Sequence, residues 1–476
     1  MGKLDRRRLL FNGCSSAAGV GALTMAATAA GPAVATQQPN TKTPAGGPAR
    51  APDKATALVP KLRPGQDNTR VLQAALEQGG TTGQSIVLPP GTFKTGPLQI
   101  APGTHLTGSP ATTLVFTGGK SLFNCTGRAE PTTQPTQQAH RQTRTTRIEN
   151  LHIDMAYAGD TAMTANLVDG IELHQLHLSG ANQAGILLTQ CTGSITQCDL
   201  ADMANAGIFA IDSTGLDIVA NRLTRIGNNA IQIWRSEVGH DGSCVADNRI
   251  ESVTALAGGT GQNGNGINVF RANGVQVTGN HIADCTYSAI RGNAASNIMI
   301  STNTCQRLGE VAIYTEFGFD GAVITSNIID TAATGIVVTN FNVGGRLATV
   351  QGNVVRNLFR RENEPFDKRG VGISIEADTA VSGNTIENAA TVGIAVGHHQ
   401  HMRDCAVTGN VIRSSSAGIF VSSDPTAGAC LIANNMISAT PVGAIRGHNG
   451  TAPIGPDLAS KSTRTARLAI TGNLAV

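Results

Sequence analysis

Residues 382–396 read SGNTIENAATVGIAV. Gly and Asn, which favour turns, sit here between β-branched apolar residues at fixed offsets. The phrase recurs upstream as VANRLTRIGNNAIQI at 219–233 and VTGNHIADCTYSAIRG at 277–292, and downstream as VTGNVIRSSSAGIFV at 407–421. Its asparagine defines a series: Asn221, Asn248, Asn280, Asn303, Asn327, Asn353, Asn384, Asn410 and Asn435, at intervals of 27, 32, 23, 24, 26, 31, 26 and 25 residues. Three residues before each lies Ile218, Val245, Val277, Ile300, Ile324, Val350, Val381, Val407 or Ile432. Two after lies Leu223, Ile250, Ile282, Cys305, Ile329, Val355, Ile386, Ile412 or Ile437. A second mark, Gly or Ala before Ile, recurs at Gly185, Gly207, Ala230, Gly266, Ala289, Ala312, Gly335, Gly372, Gly393 and Gly418.

Two phased series over ten turns specify a repeat architecture. A unit this short, poor in helix formers, excludes helical-pair repeats, and the leucine spacing of leucine-rich repeats is absent. Each unit reads as one coil of a parallel β-solenoid, with equivalent residues stacked at roughly 4.8 Å. The Val and Ile then fill the interior, and the asparagines bond to one another in a ladder along the bend.

Composition agrees. A chain of 476 residues exceeds one conventional compact core, and a solenoid removes that limit. Net charge is +3 with 14% charged residues, no footprint of a nucleic-acid binder. Aromatics are 3%, with one Trp, while Gly numbers 56. The nine cysteines show no CxxC or metal-ligand spacing. Cys405 and Cys430 fall at equivalent repeat positions and read as buried free thiols, with a disulfide between them the lesser alternative.

The N-terminus reads as a targeting segment. Arg6, Arg7 and Arg8 precede Leu9 and Leu10, a pattern that resembles twin-arginine export signals, with Asp5 where Ser or Thr is usual. A Gly/Ala-rich apolar region from Gly13 to about Ala30 and the small residues AVA at 33–35 complete a signal peptide over 1–35. Residues 36–57 read as a flexible leader, and the mature protein has no segment that spans a bilayer.

The repeats resemble the pectate-lyase-like superfamily of right-handed parallel β-helices; with the twin-arginine signal they resemble a family of exported bacterial repeat proteins. The expected fold is all-β: a single-stranded right-handed parallel β-helix of about ten or more coils with a short N-terminal capping helix. RPGQDNTRVLQAALEQGG (63–80), SIVLPPGTF (85–93) and LQIAPGTHLTG (98–108) resemble the opening of such chains. A helix N-capped near Asp67 would there cover the end of the interior. Residues 58–126 are thus the cap and first coils, the polar stretch 127–147 an exposed insertion, and 148–476 the β-helix.

Strand alternation sorts the residues after each Gly-Ile mark into two outward columns. The first reads Phe209, Gln232, Asn268, Arg291, Tyr314, Val337, Ser374, Ala395, Phe420. The second reads Ile211, Trp234, Phe270, Asn293, Glu316, Thr339, Glu376, Gly397, Ser422. Arg235, Arg271 and Asn340 lie just beyond. The long repeat intervals also fall here, as RSEVGHDGS (235–243), TALAGGTGQNGNG (254–266) and LFRRENEPFDKRG (358–370), loops able to wall a cleft.

Aromatics beside Arg, Asn and Glu suit an acidic sugar polymer: rings stack on apolar sugar faces and Arg pairs with uronate carboxylates. The candidate binding residues are Gln232, Trp234, Arg235, Asn268, Phe270, Arg271, Asn293 and Asn340. The candidate catalytic residues are Arg291, Tyr314, Glu316 and Glu376. Glu316 and Glu376, two coils apart, would sit roughly 9–10 Å from each other, near the upper limit for an inverting hydrolase pair. Arg291, Tyr314 and Glu316 are adjacent and suit a lyase or epimerase. The catalytic Asp patterns of calcium pectate lyases, alginate epimerases and polygalacturonases are missing. His398, His399 and His401 in GHHQH read as a solvated turn, since strand neighbours face opposite ways; HDG at 240–242 reads as a loop turn.

The expectation is an exported protein, periplasmic or extracellular, that meets the twin-arginine export machinery through its signal. It binds, and on one alternative modifies as a lyase, epimerase or hydrolase, a polysaccharide. The rival is a non-catalytic polysaccharide-binding or envelope solenoid, or a periplasmic cofactor carrier. The sequence assigns no cofactor, metal site or nucleic-acid partner. The four candidate catalytic side chains discriminate: convergence in one cleft favours catalysis, and ion pairing among themselves favours binding.

Overall fold

The computed structural model describes residues 57–127, 145–259, 261–339, 346–361, 370–450, 452–460 and 463–476. The expected signal peptide, nearly all of the leader, residues 128–144 of the insertion, and Asn340 lie outside these residues. The last residues of the expected insertion already belong to a strand, Thr146–Asp154, with Thr146 fully buried.

The repeat folds as three short strands per coil. For the opening stretch these are Thr379–Ser382, Thr385–Ala389 and Val392–Val396. The first two strands of each coil join one long sheet and the third joins a second sheet, through about 13 turns of parallel β-solenoid. Pairing between coils is parallel until the C-terminal end, where 443–448 with 453–457 and 463–464 with 468–471 run antiparallel.

Register is set by the interior. Val277 pairs with Ile300, Ile300 with Ile324, and all three have no exposed surface. The residues two past each asparagine, such as Ile250, Ile282, Cys305 and Ile329, stack likewise. A slip by one residue would turn these columns to water. The Gly of the second mark is required by the same packing: a Cβ on Gly393 would lie 2.5 Å from Ile412 Cγ2 and 2.9 Å from the Gly418 carbonyl.

The asparagine ladder is present and one rung longer than the repeats suggest, ending at Asn473. Asn303 shows the pattern. Its Nδ2 donates to Asn327 Oδ1 (3.0 Å) and to the Val277 carbonyl (3.0 Å), while its Oδ1 accepts from the Asn280 backbone N–H (3.0 Å) and Nδ2 (2.9 Å). Each buried amide is therefore satisfied on both sides. At the other end the Cys198 N–H donates to Asn221 Oδ1 (2.9 Å). The residue before each asparagine is left-handed, as at Gly383 (φ 63°), Ala220 (φ 58°) and Ser326 (φ 58°). That φ makes the bend and explains the recurrent Gly-Asn.

The N-terminal helix, Thr69–Thr82, buries Leu72, Ala75 and Leu76 on the end of the interior. Asn68 occupies the N-cap position, and Asp67 beside it accepts from the Thr69 N–H (2.9 Å). Cys405 and Cys430 are in register, buried and unbridged, and burial raises the Cys405 thiol pKa to about 12.

Candidate functional site

The outward columns run down the second sheet as alternation requires. Phe209, Gln232, Asn268, Arg291 and Tyr314 are successive register partners, and so are Ile211, Trp234, Phe270, Asn293, Glu316 and Thr339. Three of these side chains form an aromatic ladder. Trp234 meets Phe209 edge-on at 5.1 Å between ring centroids and Phe270 at 5.6 Å, all three half-buried. The Arg271 guanidinium lies 4.8 Å from the Phe270 ring centre and donates to the Ser236 carbonyl (2.6 Å). Strand Asn229–His240 bulges after Trp234, and Asp212 holds the bulge by accepting from Ser236 N–H (2.8 Å) and Oγ (2.6 Å).

Next along the axis is a buried polar cluster. Arg291 and Glu316, about one-tenth exposed or less, form an ion pair in which Arg291 Nε donates to Glu316 Oε1 at 2.6 Å. Asn293 Nδ2 donates to the same oxygen (2.9 Å). Tyr314 lies beside them, its ring centre 5.9 Å from the Arg291 guanidinium. Burial, and then the Glu316 charge, push its phenol well above the ordinary range, so it stays protonated at neutral pH.

The loop after Thr254 covers part of this face. The Gln262 carbonyl accepts from Asn229 Nδ2 (3.1 Å) and Asn268 Nδ2 (3.2 Å), the Gly259 carbonyl from Tyr287 Oη (3.1 Å). Gly261 sits against Arg291: a Cβ there would be 3.1 Å from Nη1.

Two family models match the chain: one described as "Right handed beta helix region" over residues 237–359, and one as "Protein of unknown function (DUF1565)" over 343–474. The chain is a right-handed β-helix. No curated protein matches the sequence. Among solved structures the β-helix is similar to bacteriophage CBA120 tailspike protein 3, with 13% identity, TM-score 0.46, and 88% of this chain on 61% of that one. It is similar to PfbA, a surface adhesin of Streptococcus pneumoniae, with 12% identity and TM-score 0.46, covering 88% of this chain and 99% of that one. A third is the catalytic unit of an alpha-1,3-glucanase from Streptomyces thermodiastaticus, with 14% identity, TM-score 0.41, and coverages of 90% and 70%.

The β-helix brings Arg291, Tyr314, Glu316 and Asn293 together, and beside them Trp234, Phe270 and Arg271. It separates others. Gln232 and Asn268, expected on an open face, are each 4% exposed, Asn268 held by the covering loop. Glu376 directly follows strand Val371–Ile375, two strands beyond that of Glu316, and is 9% exposed. Arg235 reaches the Ser213 carbonyl (3.4 Å). Arg291 and Glu316, expected beside Tyr314 as lyase or epimerase residues, are ion-paired with each other. In the HDG turn Asp241 is buried and accepts from the Ser243 N–H (3.0 Å), its pKa raised by burial. His399–His401 form a single 3₁₀ turn rather than a strand, so the His398 and His399 rings meet at 4.6 Å instead of facing apart.

Sequence reasoning placed Phe209 in the first outward column but left it out of the candidate binding residues, although it is a member of the aromatic ladder. It also missed the Arg361–Glu310 ion pair (3.4 Å), for which no spacing signal exists because Arg361 lies in a loop. Among the described residues no group of three or more His, Cys, Asp or Glu is placed to hold a metal ion, and no helix is long and apolar enough to cross a membrane.

Proposed function

We propose that this β-helix, exported by the twin-arginine pathway on its RRRLL signal, binds an acidic polysaccharide along the face that carries Phe209, Trp234 and Phe270. The single observation that carries the reading is the ladder of half-buried aromatic rings on three successive coils, in a chain with 3% aromatics. Stacked rings offer apolar platforms for sugar faces, and a polymer laid along the axis meets one rung per coil. Arg271 beside Phe270 supplies the charge for a uronate carboxylate.

Binding is favoured over catalysis by the state of Glu316. Glu316 Oε1 is taken up by Arg291 and Asn293 rather than held free for a substrate proton, and a protonated Tyr314 cannot serve as a general base. The test is a panel of uronic and neutral polysaccharides with the wild-type protein, Trp234→Ala and Glu316→Gln. The expected result is retention of a uronic polymer, weakened at least tenfold in Trp234→Ala, with no turnover. Turnover abolished in Glu316→Gln would replace the reading with an enzymatic one; no binding of any polymer would remove it.

A further inference from the structure

The strand that follows the asparagine bend carries an outward column of its own. Its register partners are His152, His177, Asp199, Arg222, Arg249, His281 and Thr304. Beyond Thr304 the column turns apolar, with Ile328 and Val354. Six consecutive ionisable rungs followed by a switch to apolar ones is not what a bland solvated surface requires.

Arginines on this sheet commonly follow a rule, pairing with a carboxylate of an adjacent coil; Arg147 does so with Glu172 and also with Glu149 on its own strand. Arg225 pairs with Asp202, Arg307 with Asp284, Arg356 with Asp330 and Arg413 with Glu387, in each case with a carboxylate one coil earlier. Arg222 and Arg249 break it. They are register partners, so two guanidinium groups rise from adjacent strands at the closest spacing a sheet allows, and among the described residues neither side chain has an ion-pair or hydrogen-bond partner. His281 continues the column above them. The three line a recess of about 200 Å³ together with Glu251, Thr304 and Arg307.

We propose that Arg222, Arg249 and His281 form a second ligand site, for an oxyanion carried on a small polyhydroxylated molecule. Two stacked guanidinium groups present parallel N–H donors to the oxygens of a carboxylate, sulfate or phosphoryl group, and the anion removes the repulsion between them. Glu251, which has no hydrogen-bond or ion-pair partner among the described residues, would repel a bare anion but accepts hydrogen bonds from hydroxyls, and Thr304 adds a further partner; this favours a sugar acid or sugar phosphate over a mineral ion. The volume admits one sugar unit and excludes a drug-sized ligand. The site lies on a different sheet from the aromatic face and does not depend on that reading.

The experiment is calorimetric titration of the full protein with glucuronate, glucose 6-phosphate, inorganic phosphate and glucose. The expected result is saturable binding of glucuronate or glucose 6-phosphate, tighter than inorganic phosphate and weakened at least tenfold in Arg222→Gln/Arg249→Gln. Trp234→Ala should leave it unchanged, which separates this site from the aromatic face. Both arginines are exposed, so the double variant folds, and a melting curve checks this; the same curve should show the bound anion raising the Tm of wild type alone. Equal binding of inorganic phosphate would overturn the sugar-borne class. Absence of saturable binding, or binding that survives the double substitution, would overturn the site.

Discussion

Glu316 is the side chain on which the reading of the aromatic face turns. It is 4% exposed and takes its hydrogen bonds from Arg291 and Asn293. Truncating one partner of such a pair leaves a buried charge unanswered, at about 3–5 kcal/mol. Glu316→Ala should therefore destabilise the protein by that amount in urea unfolding, while Arg291→Met/Glu316→Leu should restore most of the loss. Equal losses in both variants would show that the cluster acts through packing rather than charge. The positions of these residues were legible in the sequence, because strand alternation and a fixed repeat place Trp234, Phe270, Asn293 and Glu316 in one column. Their state was not. Which carboxylate answers which arginine depends on side-chain rotamers, and the hold on Asn268 depends on the path of a Gly-rich loop whose repeat-free sequence carries no period.

Each coil is held at its bend by one asparagine, and this element was written in the sequence almost completely. Asn327→Ala removes two donated and two accepted hydrogen bonds from a fully buried position and strands their partners. The expected loss is about 2–4 kcal/mol, with amide exchange accelerated in the coils on either side. The left-handed residue before the bend offers the opposite change. Ala220 has φ 58°, so Ala220→Gly relieves backbone strain and should stabilise by about 0.5–1 kcal/mol. The outer carboxylates add a pH dependence. Asp202, Asp284 and Asp330 are held below 3.8 by hydrogen bonds, the first two mainly from arginine and the third first from Asn357. Folded values below the unfolded one mean that their contribution is complete above pH 3.8 and is lost as pH falls through the lowered values. Melting temperature should drop across that acid window, and Asp284→Asn should flatten the drop. These pairs are largely exposed, so the effect is small and screened by salt.

A solenoid joins each coil only to its neighbours, so a ligand gains contacts one rung at a time. This gives the aromatic face a signature that a compact pocket lacks. Phe209, Trp234 and Phe270 occupy three successive coils, and Arg291 and Asn293 begin the next. At roughly 4.8 Å per coil the ladder spans about 10 Å, the reach of a few linked sugars laid along the axis. Affinity for uronic oligosaccharides should therefore climb with each unit until about three or four are present, and then level off. Trp234 is the only tryptophan, so its fluorescence reports occupancy directly. Affinity already maximal for a single sugar would mean that the rings form a closed pocket instead of a track. Affinity that rises without limit would mean that charge along the whole polymer, rather than the ladder, does the holding, and added salt would then abolish it.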